Sequence, residues 1–222
     1  MDEAAILPSG DLPPHDLHVS RTTWPQDCLF HRIHLERYGA DAFNPGMLGN
    51  ARFSPIQDAA GAPVPTLYGG ASFVCAAMET VFHDVPFTAG FKTYDKAKLA
   101  GQVHSRLRPL RDLVLADLGS RALRKLGVAR NRLIDTDKDR YPVTRRWAAA
   151  IHAACPDVQG LCWTSRQDDS ARAMVLFGDR IAPATLRREG STRSLTADPA
   201  AYGELLALAQ QIGVDIVPGT MS

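Results

Sequence analysis

Long apolar runs are missing from this chain of 222 residues. No stretch approaches the roughly 20 residues needed to span a bilayer, so no membrane partner is expected. An excess of one charge is missing too: 25 Lys and Arg face 24 Asp and Glu, for a formal charge of +1. Chains that work on phosphate backbones usually carry a clear positive surplus, so direct nucleic-acid binding is disfavoured. The four cysteines, Cys28, Cys75, Cys155 and Cys162, show no CxxC spacing. Cys75 and Cys162 lie in apolar runs, as reduced core thiols do. The N-terminal MDEAAILPSGDLPPHD has no basic start and no long apolar core, unlike a signal peptide. Together these features predict a cytoplasmic protein.

Several catalytic signatures are also absent. Residues 112–127, DLVLADLGSRALRKLG, read as strand, glycine turn and helix, yet contain neither GxGxxG nor GxxxxGK[ST]. No GxSxG elbow and no Cys/His nucleophile pair stand out. His15/His18 and His31/His34 are too few for a metal site, which normally needs three or four convergent ligands. The second pair falls on a predicted strand, where i and i+3 point to opposite faces, so no metal is expected.

What is present suits one globular domain: 45% hydrophobic and 22% charged residues, in a length that supports a single core. Residues 1–28 hold Pro8, Pro13, Pro14 and Pro25 without sustained period and read as an N-terminal arm. Residues 29–222 read as the domain. Strands are predicted at 29–34, 66–68, 102–108, 112–117, 160–165 and 173–177. The span 51–55 reads as a short strand or a turn, and 39–50 as loop. Helices are predicted from an N-cap at Ser72 to about His83, at 120–125, at 141–154 and at 199–212. Strands and helices mix without regular βαβ alternation, which makes the class α+β, with mixed twisted sheets and flanking helices. Trp147 and Trp163 read as core.

Four segments carry more information: FHRIH, NARFSP, PTLYGGASFVCAAMETVFHD and YPVTRRWA…GLCWTSR. In them the chain resembles the RES-domain toxins, and more closely the ParT-type members. Arg32 stands at the family's first arginine and Arg52 at its second. Tyr68 and Glu79 keep the Tyr-x10-Glu spacing, and Thr144 and Ser165 stand at two hydroxyl positions. Phe53 replaces a usual Trp and Thr144 a usual Ser. The resemblance spans about residues 30–177. It implies a fold similar to mono-ADP-ribosyltransferases, with NAD consumed as substrate. It also implies a toxin silenced by a cognate antitoxin that often carries a DNA-binding segment.

The residue types suit that chemistry. Cleaving nicotinamide from NAD leaves a cationic ribose, which a carboxylate such as Glu79 stabilises. The expected catalytic residues are Glu79 and Arg32. Arg32 and Arg52 offer planar, charge-assisted donors to a diphosphate. Tyr68 offers a ring for stacking, and Thr144 and Ser165 offer hydroxyls, which completes the expected NAD-binding set. Each also has a bland reading: a surface carboxylate, a structural ion pair, a core ring or a local backbone bond.

The expected activity is ADP-ribosyl transfer to a cellular protein. The alternative acceptors are water or phosphate, which would make the protein an NAD glycohydrolase or phosphorylase. A rival of another class is an RNA-binding or ribonuclease-type toxin that uses the basic residues Arg121, Arg124, Lys125, Arg130 and Arg132. These residues also read as a solvated helix face.

Overall fold

A computed structural model describes residues 12–219; residues 1–11 of the expected arm and 220–222 lie outside it. The first elements are β1 (Arg21–Trp24), β2 (Phe30–Leu35), β3 (Thr66–Gly70) and α1 (Phe73–Thr80). Then come β4 (Lys92–Asp95), β5 (Gln102–Pro109), β6 (Leu113–Asp117), α2 (Ser120–Leu126), α3 (Arg130–Leu133) and α4 (Tyr141–Ala154). The chain continues through β7 (Gly160–Thr164), β8 (Arg172–Phe177), β9 (Leu186–Ser194), α5 (Pro199–Gln211) and β10 (Val214–Val217). The class is α+β, as the sequence pattern implies.

Eight strands form one sheet in the order β1-β6-β7-β8-β3-β2-β5-β9. Only β6 and β7 run parallel in it. A small second sheet pairs β10 with β4 in parallel. The large sheet is apolar on both faces because its central strands have no polar alternation. Leu161 and Trp163 of β7 face one cluster, while Cys162 between them faces another. On β8, Ala173, Val175 and Phe177 join the first cluster, and Met174 and Leu176 the second.

The apolar stripe of α4, Val143, Trp147, Ala148 and Ile151, covers the first face together with Leu123, Leu126 and Leu133 from α2 and α3. The second face is covered by the sheet itself. Trp24 of β1 and Phe30 of β2 meet edge to face at 6.3 Å, although their strands lie first and sixth in the order. The sheet must therefore curl until its remote strands touch. A third cluster seats α1 and α5 on the β2 region, through Ala76, Ala77, Leu205, Leu208 and Ile33.

The structure differs from the sequence reading in two places that matter here and decides between the alternatives in a third. Residues 21–24, expected within the arm, form an edge strand locked by Arg21, whose Nε and Nη2 donate to Asp157 at 3.1 and 3.0 Å. Residues 51–54, read as a short strand or a turn, form the turn, with Ala51 N donating to Ser54 O at 3.0 Å. Helix α1 stops at Thr80, because Asp84-Val85-Pro86 disfavours helical backbone ahead and Phe82 turns into the core. Ser72 caps α1 as expected and accepts from Cys75 N at 3.0 Å.

Strand β3 continues through Gly69 and Gly70, and Gly70 decides how close α1 can lie. A Cβ there would meet Cys75 Sγ at 2.8 Å and Ala76 N at 2.9 Å. The second neighbour is backbone and cannot rotate away, so only glycine admits the helix at this distance. Gly70→Ala is expected to lower unfolding free energy by about 1–3 kcal/mol, the usual cost of overpacking. A urea titration measures it; an unchanged midpoint would show that α1 can slide outward freely.

Candidate functional site

Helix α1, the turn at residues 51–54, the first turn of α4 and the end of β7 converge on one carboxylate. Glu79, one residue from the end of α1, accepts at Oε1 from Ser165 Oγ at 2.7 Å. Ser165 is fully buried, and its oxygen also accepts from Gln167 N and Asp168 N, both at 3.0 Å. One donation and two acceptances saturate a hydroxyl. Ser165 is thus fixed by its own loop and fixes Glu79 in turn. The Glu79 side chain keeps 16% of its surface open, enough to meet a ligand.

Arg52 approaches from the turn. Its Nη1 lies 4.0 Å from Glu79 Oε2, an attraction without a hydrogen bond. The residue is only 4% exposed, yet its Nε and Nη2 have no hydrogen-bond partner among the described residues. Leaving a buried donor unmade costs about 1–3 kcal/mol, more for a charged group. Two such donors beside a carboxylate are the mark of a place built for an incoming anion. The guanidinium lies 5.7 Å from the centre of the Tyr141 ring, which holds it from below as a cation–π contact.

The turn that carries Arg52 is held on both sides. Phe53 N donates to Tyr68 Oη at 3.1 Å. Thr144 Oγ1 donates to the carbonyl of Arg52 and also contacts Tyr141 O, one turn back along α4, at 3.1 Å. Burial pushes the Tyr68 phenol up to about 12, so it stays protonated at neutral pH. The structure therefore brings Arg52, Tyr68, Glu79, Thr144 and Ser165 together. Within this group Tyr68 and Thr144 bond the backbone of the Arg52 turn, and Ser165 bonds Glu79.

Arg32 is placed elsewhere. Ile33 faces the cluster that seats α1 and Phe30 the opposite cluster, so Arg32, alternating with Ile33, lies on the face of β2 away from α1. Its Nη1 donates to Ala40 O at 2.6 Å and to Ala42 O at 2.8 Å, which ties down the loop after β2. Burial presses its guanidinium down to about 10, still charged at neutral pH.

His31 and His34 likewise turn apart. His31 Nδ1 meets His104 Nε2 at 2.9 Å, and His34 Nε2 meets Ser105 Oγ at 2.9 Å. Among the described residues no three His, Cys, Asp or Glu side chains gather as a metal site. Cys75 lies near the centre, but burial, aided by the Glu79 charge, pushes its thiol up to about 12; it packs rather than attacks. In the basic stretch, Arg130 is engaged by Asp135 at 3.0 Å and by Thr164 O at 3.2 Å.

The sequence reading missed Tyr141, His83 and Asp84. Tyr141 opens α4 and His83 follows α1, and no spacing rule links them. In space Tyr141 Oη and His83 Nε2 are 3.0 Å apart, and His83 Nδ1 is 2.7 Å from Asp84 Oδ1. They line a cavity of about 290 Å³ together with Phe87, Thr136, Arg166 and Gln167.

A family model described as RES domain matches residues 29–198 of the chain. No curated protein matches it. RES domains are associated with toxin–antitoxin systems and with the use of NAD.

If the open donors of Arg52 await an anion, inorganic pyrophosphate should raise the melting temperature of the wild-type chain. Saturation at about 100 times the dissociation constant corresponds to roughly 2.7 kcal/mol. Arg52→Met should abolish the shift in a thermal melt. Equal shifts in both chains would place the anion elsewhere.

Proposed function

This chain belongs to the RES domain family, and we propose that it is a toxin that breaks the nicotinamide–ribose bond of NAD and transfers ADP-ribose to a cellular protein. The observation that carries this reading is the pairing of an oriented carboxylate with a buried, under-bonded guanidinium: Glu79 held by Ser165 at 2.7 Å, and Arg52 with two open donors beside it.

Breaking the bond gathers positive charge on the ribose. A carboxylate already fixed in place stabilises that charge without reorganising, which is where electrostatic catalysis gains most. Nicotinamide departs neutral, taking the bonding electron pair with it, so no general acid is required. Arg52 is suited to the diphosphate because its fork binds two oxygens at once. In this reading Glu79 and Arg52 touch NAD. Ser165 orients Glu79, while Tyr68 and Thr144 hold the turn that presents Arg52. Arg32, expected to contact NAD directly, acts through the loop it ties at Ala40 and Ala42.

A protein acceptor is favoured by the surface beside the cavity. Phe87 lines it and is 82% exposed, and Phe91, on the same connection, is 72% exposed. Large exposed rings are more useful to a protein partner than to water or phosphate. The cognate antitoxin, with its DNA-binding segment, is the second partner of this reading. The four free cysteines suit a reducing cytoplasm.

The test incubates the purified chain with NAD labelled on the adenylate, with and without cell lysate. Label is expected on a discrete protein band. Glu79→Gln should lower turnover by about 10²–10³-fold, the usual effect of removing one electrostatic stabiliser. Label released only as ADP-ribose or its phosphate would replace transfer by hydrolysis or phosphorolysis. Intact NAD would end the reading.

A further inference from the structure

We propose that Asp84, His83 and Tyr141 form a proton relay that activates a neutral hydroxyl acceptor in the cavity that they line. This rests on the reading of the Glu79 centre given above and adds to it the chemical class of the acceptor.

The direction of the relay follows from donors and acceptors. The Asp84 carboxylate can only accept, so neutral His83 must carry its proton on Nδ1, 2.7 Å away. Nε2 is then an acceptor, and Tyr141 Oη, 3.0 Å away, must donate to it. Lys138 Nζ fixes the other Asp84 oxygen at 2.6 Å. Burial works against the ionised Asp84, but the bonds from Lys138 and His83 prevail and hold its carboxyl below the ordinary range.

The relay also faces the reacting centre. The Tyr141 ring lies under Arg52, and the Glu79 and Arg52 charges both act on its phenol. Gln167, whose backbone N–H bonds Ser165, donates through Nε2 to His83 O at 3.2 Å. One short loop therefore positions Glu79 and His83 together.

The phenol oxygen keeps lone pairs for a hydroxyl in the cavity, which both Tyr141 and His83 line. In the step, the acceptor O–H gives its proton to Tyr141 Oη while the Tyr141 proton passes to His83 Nε2. The acceptor oxygen forms the bond to ribose C1, and the C1–N bond breaks, its electron pair leaving with nicotinamide. The imidazolium, facing the Asp84 carboxylate, then releases the proton to solvent. The sum is acceptor plus NAD giving the ADP-ribosyl ether linkage, nicotinamide and one proton.

Such a relay serves only an acceptor that needs a base. Carboxylates and phosphates are already anionic at neutral pH, whereas water and alcohols are not. The cavity charges agree: Lys138 and Arg166 are matched by Asp84 and Asp137, both pairs in contact. No surplus cation is left to draw in an anionic acceptor.

The test compares wild type with His83→Gln, Tyr141→Phe and Asp84→Asn, after thermal melts confirm folding. His83→Gln and Tyr141→Phe should lower kcat by about 10²–10⁴-fold with KM for NAD nearly unchanged. Asp84→Asn, a change at an exposed site, should also lower kcat with KM for NAD nearly unchanged, because the carboxylate no longer orients the His83 ring. Free ADP-ribose would identify water as the acceptor, and protein label resistant to neutral hydroxylamine a side-chain hydroxyl. Hydroxylamine-labile label, ADP-ribose phosphate, or wild-type kcat in the relay variants would overturn the proposal. If Glu79→Gln were inactive while the relay variants kept full activity, the relay would fall and the Glu79 reading would stand. NAD left intact by wild type would remove both.

Discussion

A guanidinium buried with two of its donors unmet organises the centre of this protein. Left alone, Arg52 would swing toward water, as charged side chains do when the fold permits. Here it cannot. Its carbonyl is held by Thr144, the next amide is held by Tyr68, and its plane rests on Tyr141. Two elements distant in sequence, β3 and α4, act together to keep one charge in an unfavourable place. The stability given up there is recovered elsewhere, in the apolar clusters on both faces of the sheet. The nearby Glu79 carboxylate offsets part of the charge at 4.0 Å but completes none of the open bonds. The result is a centre that is polarised and preorganised before any ligand arrives.

Much of this was legible in the sequence, and the reasons for the rest are physical. Strong apolar runs such as AMVLF and the stripe of α4 announce themselves, because burial on one or two faces dictates composition. The N-cap at Ser72 and the glycines closing β3 were local signals with local causes. The short strands β4 and β10 and the edge strand β9 were not legible. RREGSTRS has no apolar alternation because β9 pairs on one side only and leaves much of its surface to water. β1 was hidden in a proline-rich stretch, and only its partner β6 makes it a strand.

The site shows the same division. The resemblance to the RES domain family singled out Arg52, Tyr68, Glu79, Thr144 and Ser165, and the structure gathers all five. Their division of labour was not in the sequence. A hydroxyl that could bind a ribose and a hydroxyl that clamps a backbone carbonyl are the same letter; only tertiary contacts separate them. Arg32 diverges for a similar reason. Alternation sets Arg32 and Ile33 on opposite faces of β2, but which face meets the centre depends on where α1 packs and on a loop that folds back over the arginine. His83, Asp84 and Tyr141 escaped because two chain segments without a common motif meet there.

The two hydrogen bonds that define the centre join residues 86 and 92 positions apart in the chain. Contacts of that range form late, since long loops must close before they are rewarded. On a ribosome, neither Glu79 nor Arg52 can be set in place until Ser165 and the strand leading to it have emerged. A growing chain therefore carries no working centre for most of its synthesis. The time between a nearly complete chain and an armed one is an interval in which another protein could meet it first.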